Sequence, residues 1–283
     1  MSSLLKTENL CFTYGSGTPF EKHAVKNVNI EIKKGEVIGV IGHTGSGKST
    51  LMQMLNGLIA PTSGKVLLDG KDIHADKKKL RDVRFRVGLV FQYPENQLFE
   101  DPVRKDIAFG PHNMGLPEEV IEKRVKRAAD FAGLKEELLD RSPFDLSGGE
   151  KRRAAIAGVI AMDPEILILD EPTAGLDPMG REEILGGLRS YQRQKKNTMI
   201  IVSHSMEDVA KYADNILVMN NGEIYMQGTV EEIFLQAERL FDANLDVPQI
   251  TKLFIELKKR GLCESSDIYT LGYAKKVIEK LLG

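Results

Sequence analysis

Apolar residues cluster in this chain as short uninterrupted runs, each broken by a polar or glycine-rich turn, with stretches of helical spacing between them. The run Val37-Ile38-Gly39-Val40-Ile41 reads as a buried strand, and Leu51, Met54, Leu55 and Leu58 behind it predict a helix that Ala60-Pro61-Thr62-Ser63-Gly64 ends. Ahead of it, residues 4–34 alternate in the manner of antiparallel strands. Leu10, Phe12 and Tyr14 share one side, and Val28, Ile30 and Ile32 share one before the turn Lys33-Lys34-Gly35. Further strands are predicted at Lys65–Leu68, Val87–Phe91, Glu165–Leu169 and Asn197–Val202, with a hairpin across Asn220-Asn221-Gly222. The texture between about 93 and 162 is different. Pro117 is placed for a first helical turn, and Ile121, Val125, Ala128 and Ala132 form one helical stripe, so this segment is a helical insertion in an α/β domain. After residue 230 come two amphipathic stripes, Ile250, Leu253, Phe254 and Leu257, then Ala274, Val277, Ile278 and Leu281. Packing on their own domain and contact with a second subunit both suit them.

Composition narrows the function classes. With 283 residues, 42% hydrophobic and 28% charged, the chain can bury a large core, and its formal net charge of -2 supplies no general attraction to nucleic acid or anionic lipid. The basic cluster Lys77-Lys78-Lys79 with Arg81, Arg84 and Arg86 is offset by Asp76 and Asp82 and reads as a solvated helix face. Cys11 and Cys263 form no CxxC and no disulfide framework, which suits a reducing compartment. Neither a signal peptide nor a run of 18 apolar residues is present, so any membrane work is expected to go through a partner.

The chemistry starts at Gly42-His43-Thr44-Gly45-Ser46-Gly47-Lys48-Ser49-Thr50. Three glycines in six residues let successive N–H groups point into one concavity, and the helix that follows adds its partial positive charge. Such a loop between strand and helix is a phosphate cradle, with Lys48 reaching the outer phosphates, Ser49 binding Mg²⁺ and Thr50 in the first helical turn. Three other strand ends carry polar groups. Gln92 offers an amide oxygen to Mg²⁺ or holds the attacking water; Asp170 and Glu171 form a carboxylate pair, one for Mg²⁺ and one as general base; His204 faces the same crevice. Ser147-Gly148-Gly149-Glu150 is a capping box, and a capped helix start is also an anion site, so the structural and functional readings share one geometry.

Taken in order, these motifs resemble the ATP-binding subunit of an ABC transporter over residues 4–230. The resemblance implies the P-loop NTPase core of ABC ATPase type, with an antiparallel β subdomain, a helical subdomain at about 93–162 and a helical C-terminal extension at 231–283. It implies that Tyr14 stacks on adenine, that Gly42 to Thr50 is the Walker A loop, Gln92 the Q-loop, Leu146 to Glu150 the signature, Ala174 to Asp177 the D-loop and His204 the switch histidine. ATP and Mg²⁺ are the implied cofactors. Two such subunits would sandwich two ATP molecules, each signature capping the nucleotide on the opposite Walker A. Glu150 departs from the commonest signature, which has Gln, and places a negative charge near bound phosphates.

The strings Gly88 to Phe99 and Asp106 to Pro111, with Arg152 to Gly158, are more specifically similar to the ATPases of energy-coupling factor transporters, which import vitamins and transition-metal ions. That likeness implies a second ATPase subunit, in a homodimer or heterodimer, a transmembrane coupling protein and a membrane substrate-binding subunit. It places the chain at the cytoplasmic face of the cell membrane as a peripheral protein without nucleic acid. Glu95, Glu100, Asp101 and Asp106 are candidate acidic partners for basic coupling helices. The alternatives are an ABC ATPase of another transporter class, a soluble ABC ATPase acting on DNA or ribosomes, whose usual long coiled-coil insertion or second ATPase domain does not appear here, and a nucleotide-binding interaction protein with negligible turnover, which Glu150 encourages and Glu171 and His204 argue against.

Overall fold

The computed structural model describes residues 3–264 and 267–282. Among the described residues a six-stranded sheet runs in the order Glu223–Thr229, Asn215–Asn220, Val37–Ile41, Thr198–Val202, Ile166–Asp170, Val87–Val90. The hairpin at its edge is antiparallel and the remaining pairs are parallel. Strands Val37–Ile41, Thr198–Val202, Ile166–Asp170 and Val87–Val90 are buried at every position, because both faces are covered, one by helices and the other by the phosphate-loop helix and a second sheet. Register then fixes function: Val40 pairs with Val202, Val202 with Asp170, and Leu169 with Val90. The four strands therefore end side by side, and the residues just beyond them share the crevice at the carboxyl edge where ligands of parallel sheets bind.

A second, antiparallel sheet lies over the first. Ser3–Tyr14 pairs with Lys22–Val28, Glu31–Lys33 and Ser63–Leu68, the last extended by Lys71–Asp72. Leu5, Leu10, Val25, Ile32 and Val66 meet Ile38, Val40 and the helix residues Leu51, Met52, Met54 and Leu55 in one core between the sheets. The phosphate-loop helix is shorter than its apolar spacing predicts. Lys48–Leu55 stops at Asn56, Gly57 takes φ +72° and Leu58 is left exposed, so the helix ends before Ala60 rather than at it. The Asn56 amide donates to the Val87 carbonyl, tying this helix end to the edge strand of the six-stranded sheet.

The predicted helical insertion is present as Val103–Asn113, Glu118–Ala132 and Gly148–Ala161. The stripe Ile121, Val125, Ala128 and Ala132 is buried, together with Ile107, Ile156 and Ile160, against Leu167, Leu169 and Leu188. The C-terminal helices Gln249–Lys259 and Leu271–Leu282 close a small core of their own around Phe254, Ile268 and Ala274, with Ile250, Leu257, Val277 and Ile278 against it. Leu253 departs from its expected stripe. It is 46% exposed, because Phe254, one residue on, points into that core. The side chain of Leu281 lies outside the described residues.

Candidate active site

Two glycines let the phosphate loop lie tightly against its neighbours. Gly47 caps the helix at φ +101°, where a β-carbon would lie 2.2 Å from the Ala24 carbonyl oxygen. A β-carbon on Gly42 would meet the Met219 carbonyl oxygen at 2.4 Å. Inside this wrap Lys48 is only 6% exposed, and its ammonium donates to the carbonyls of Gly42 (2.7 Å) and His43 (3.0 Å). Burial pushes the Lys48 pKa down, while the nearby Glu171 and Asp170 carboxylates push it back up. The first helical N–H groups behind Gly47 have no intrahelical acceptor, which is the arrangement an anion requires. Ser46 is fully buried with its hydroxyl unpartnered among the described residues, and the His43 ring is held by the Thr44 carbonyl and Asn220 Oδ1, so His43 offers backbone to the loop.

The strand ends supply the rest. His204 Nε2 stands 2.7 Å from Glu171 Oε1, and the Gln92 amide donates to Glu171 Oε2 at 3.3 Å. Glu171 adopts φ +50°, an uncommon conformation for a side-chain-bearing residue, held by its N–H to the Val202 carbonyl. Asp170 is 5% exposed; burial raises its pKa, and a hydrogen bond from Ser49 partly reverses this. Tyr14 stands at the mouth with its ring edge-on to Phe12 and its hydroxyl 3.1 Å from Thr50 Oγ1.

One cavity of about 230 Å³ is lined by Tyr14, Thr44, Gly45, Gly47, Lys48, Ser49, Thr50, Gln92, Glu171 and His204. The structure thus gathers most of the expected residues into a single crevice. Gly42, His43, Ser46 and Asp170 lie behind this lining. Lys22 and Ala24 also line it, and neither stands out in the sequence. The only signal was register: Lys22 is the cross-strand partner of Tyr14. Ser147, Gly148, Gly149, Glu150 and Asp177 are absent from the lining and serve as helix starts. Ser147 and Glu150 complete the expected capping box, with Glu150 accepting from the Ser147 N–H at 2.8 Å, and Asp177 accepts from the Gly180 N–H at 2.9 Å.

Residues 25–174 match the ABC transporter family. The energy-coupling factor transporter ATP-binding protein EcfA2 of Clostridium perfringens (strain 13 / Type A) is 54% identical over 98% of this chain and 98% of its own. This chain is an ABC transporter ATPase. EcfA2 of Clostridioides difficile (strain 630) is 50% identical over 100% of this chain and 98% of its own, so the ATPase falls among the energy-coupling factor ATP-binding proteins. Among solved structures, cbiO1 from Clostridium perfringens, described as part of the ABC transporter complex cbiONQ, aligns with TM-score 0.75 and 45% identity over 86% of this chain and 95% of that one. A dimeric ATP-binding cassette in a post-hydrolysis state, bound to ADP and Pi, aligns with TM-score 0.73 and 29% identity over 80% of this chain and 98% of that one. Among the described residues no helix is long and apolar enough to cross a membrane.

Three of the four acidic residues considered for coupling-helix contacts are engaged within the ATPase itself, Asp101 by accepting from the Ser142 hydroxyl at 3.0 Å. Glu95 is paired with Arg152, and Asp106 accepts from the N–H groups of Phe99 and Glu100.

Proposed function

We propose that the ATPase hydrolyses MgATP in a site shared with a second ATPase subunit. In this reading it drives uptake of a vitamin or transition-metal ion through a transmembrane coupling protein and a membrane substrate-binding subunit, from the cytoplasmic face of the membrane. The observation that carries this is the meeting of Gln92 and His204 on the two oxygens of Glu171, in the cavity lined by Lys48. The backbone from Gly42 to Thr50 would cradle the phosphates, Lys48 would leave its loop carbonyls for the outer phosphate oxygens, and Tyr14 would stack on the base. Glu171, aligned by Gln92 and His204, would take the proton of the attacking water. The oxygen set of Asp170, Ser49 and Gln92 suits Mg²⁺, which keeps several waters and takes few protein ligands beside phosphate oxygens; bound there it would supply charge neutralisation.

Ser147, Gly148, Gly149, Glu150 and Asp177 stand outside the Lys48 cavity, which supports their acting on the nucleotide of the other subunit. In this reading 1–230 is the catalytic domain and 231–283 an extension that helps hold the ATPase pair, for which exposed Leu253, Leu271 and Tyr273 provide apolar surface. The test is Glu171→Gln. It is expected to bind ATP, to accumulate as a nucleotide-bound dimer by size-exclusion chromatography, and to lose turnover by about 10²- to 10⁴-fold. Near-normal hydrolysis by the assembled variant would reject the assignment.

A further inference from the structure

The guanidinium of Arg152, in the helix that begins at the signature, is 5% exposed and makes contacts to two other segments. Nε and Nη2 fork onto Glu95, at 3.0 Å to Oε2 and 2.7 Å to Oε1, and Nη1 donates to the Ala174 carbonyl. The Tyr93 ring lies 6.0 Å from Cζ. Tyr93 and Glu95 stand one and three residues after Gln92, and the N–H of Ala174 donates to the Glu171 carbonyl at 3.2 Å. One planar cation thus joins the segments that carry the two polar partners in the hydrolytic centre.

We propose that Arg152 is a positioning residue for hydrolysis, setting the distance between Gln92 and Glu171 from the signature helix. A buried ion pair is a poor device for stability, since apolar side chains of like volume commonly do as well, so fixing geometry is the better account of it. Both segments it joins also contain a left-handed non-glycine residue, Tyr93 at φ +56° and Glu171 at φ +50°. Such conformations persist only where surrounding contacts over-determine them. Three separate bonds from one rigid fork do this; a lysine, with its point charge on a flexible stem, does not. Because Ser147 to Glu150 open the same helix one turn earlier, any displacement of that helix moves Glu95 and Ala174 together. The signature and the water-positioning groups of one chain are thereby mechanically linked.

This inference rests on Glu171 acting as the base, so Glu171→Gln is assayed beside Arg152→Lys in the assembled transporter. Arg152→Lys keeps the charge and is expected to melt close to the parent, to hold KM for ATP within about two-fold, and to lose kcat by at least ~10-fold, as a displacement of about an ångström at a reacting centre does. Glu95→Gln, which keeps the shape of the pair, is expected to show the same split, and Gln92→Ala combined with Arg152→Lys to be no worse than the more damaging single change. If Glu171→Gln is inactive while kcat of Arg152→Lys stays within two-fold of the parent, the inference is overturned and the base assignment stands. A loss of kcat no larger than the loss of folded protein also overturns it. Should Arg152→Lys fail to fold, unchanged kcat in Glu95→Gln overturns it instead. Turnover by Glu171→Gln removes the base assignment itself.

Discussion

Gly148 distinguishes what the fold requires from what a ligand would require. It is the first residue of the helix Gly148–Ala161, its φ is not left-handed, and a β-carbon built on it finds nothing within 4 Å. For folding alone, alanine is the better residue. Gly→Ala inside a helix stabilises by roughly 0.5–1 kcal/mol, and in the first turn the lower end applies, about 0.5 kcal/mol. For a chain of this size that corresponds to an increase in melting temperature of about 1–2 °C. Function is expected to move the other way. If the Gly148 N–H meets a phosphate oxygen of the opposite subunit's ATP, the added methyl occupies the space of that contact. Loss of one such donor to a developing negative charge lowers kcat by about 10²-fold. Calorimetric melting of the isolated ATPase, with phosphate release by the assembled complex, measures both sides. Gly148→Ala should melt slightly higher and hydrolyse far more slowly. A melt several degrees lower would show that the fold needs glycine there, and parental turnover would show that no ligand approaches it; either result refutes the reasoning.

Three further outcomes are expected. Gly47→Ala places a β-carbon 2.2 Å from the Ala24 carbonyl oxygen at φ +101°, whereas Gly45→Ala, at φ +83°, meets open space. Both bear a left-handed penalty of about 1–2 kcal/mol, but only Gly47→Ala must also push the loop off its strand, so its loss of ATP affinity by calorimetry should exceed that of Gly45→Ala by at least ~10-fold. Tyr14→Leu should weaken ATP binding by roughly 5- to 100-fold if the ring stacks on adenine, while Tyr14→Phe, which removes only the Thr50 hydrogen bond, should stay near the parent in a fluorescent-nucleotide titration. Burial raises the Asp163 pKa, but the hydrogen bond and charge of Lys195 outweigh it and hold the carboxyl below its ordinary 3.8. A depressed carboxylate contributes stability above its unfolded pKa and loses it as pH falls through the folded value. Asp163→Asn should therefore be less stable than the parent by about 1–2 kcal/mol at pH 7 in urea titrations, and the difference should close below pH 3.8.

The gathering of the candidate residues into one crevice was legible in the sequence because it depends on where strands end. Burial dictates an apolar run, and the polar residues within the first two positions past each run, Gln92, Asp170 with Glu171, and Ser203 with His204, must emerge at the carboxyl edge once the strands are parallel and in register. The capping box at Ser147 was legible for a similar reason, since both partners lie within one helical turn. Contacts between distant segments were not. Lys22 reaches the nucleotide cavity through its cross-strand pairing with Tyr14, which passes two register shifts that no periodicity announces. The apolar stripe runs on to Leu58, but Asn56 and Gly57 end the helix first, the Asn56 side chain binding a strand 31 residues away. Glu95 read as a candidate partner for basic coupling helices because Arg152, which it pairs with, is 57 positions distant.

Glu150 shows how a local cap changes the electrostatics of the proposed composite site. An acid in place of the usual amide sets a negative charge near incoming phosphates, yet its Oε2 is turned back on the helix start, accepting from the Ser147 N–H at 2.8 Å and from the Ser147 hydroxyl at 2.7 Å. These bonds hold the carboxyl below its ordinary pKa, so it is ionised and engaged rather than ionised and free. An anion at a helix N-terminus is worth about 0.3–1 kcal/mol to the helix, and by the same interaction part of its field is cancelled by the terminus it caps. The N–H groups of Gly148 and Gly149 belong to the same first turn, and a β-carbon on either residue meets nothing within 4 Å. The acid therefore uses the Ser147 donors for the cap and leaves the glycine face open, so one helix start can be stabilised by a carboxylate of its own chain and still present donors to a phosphate brought by another.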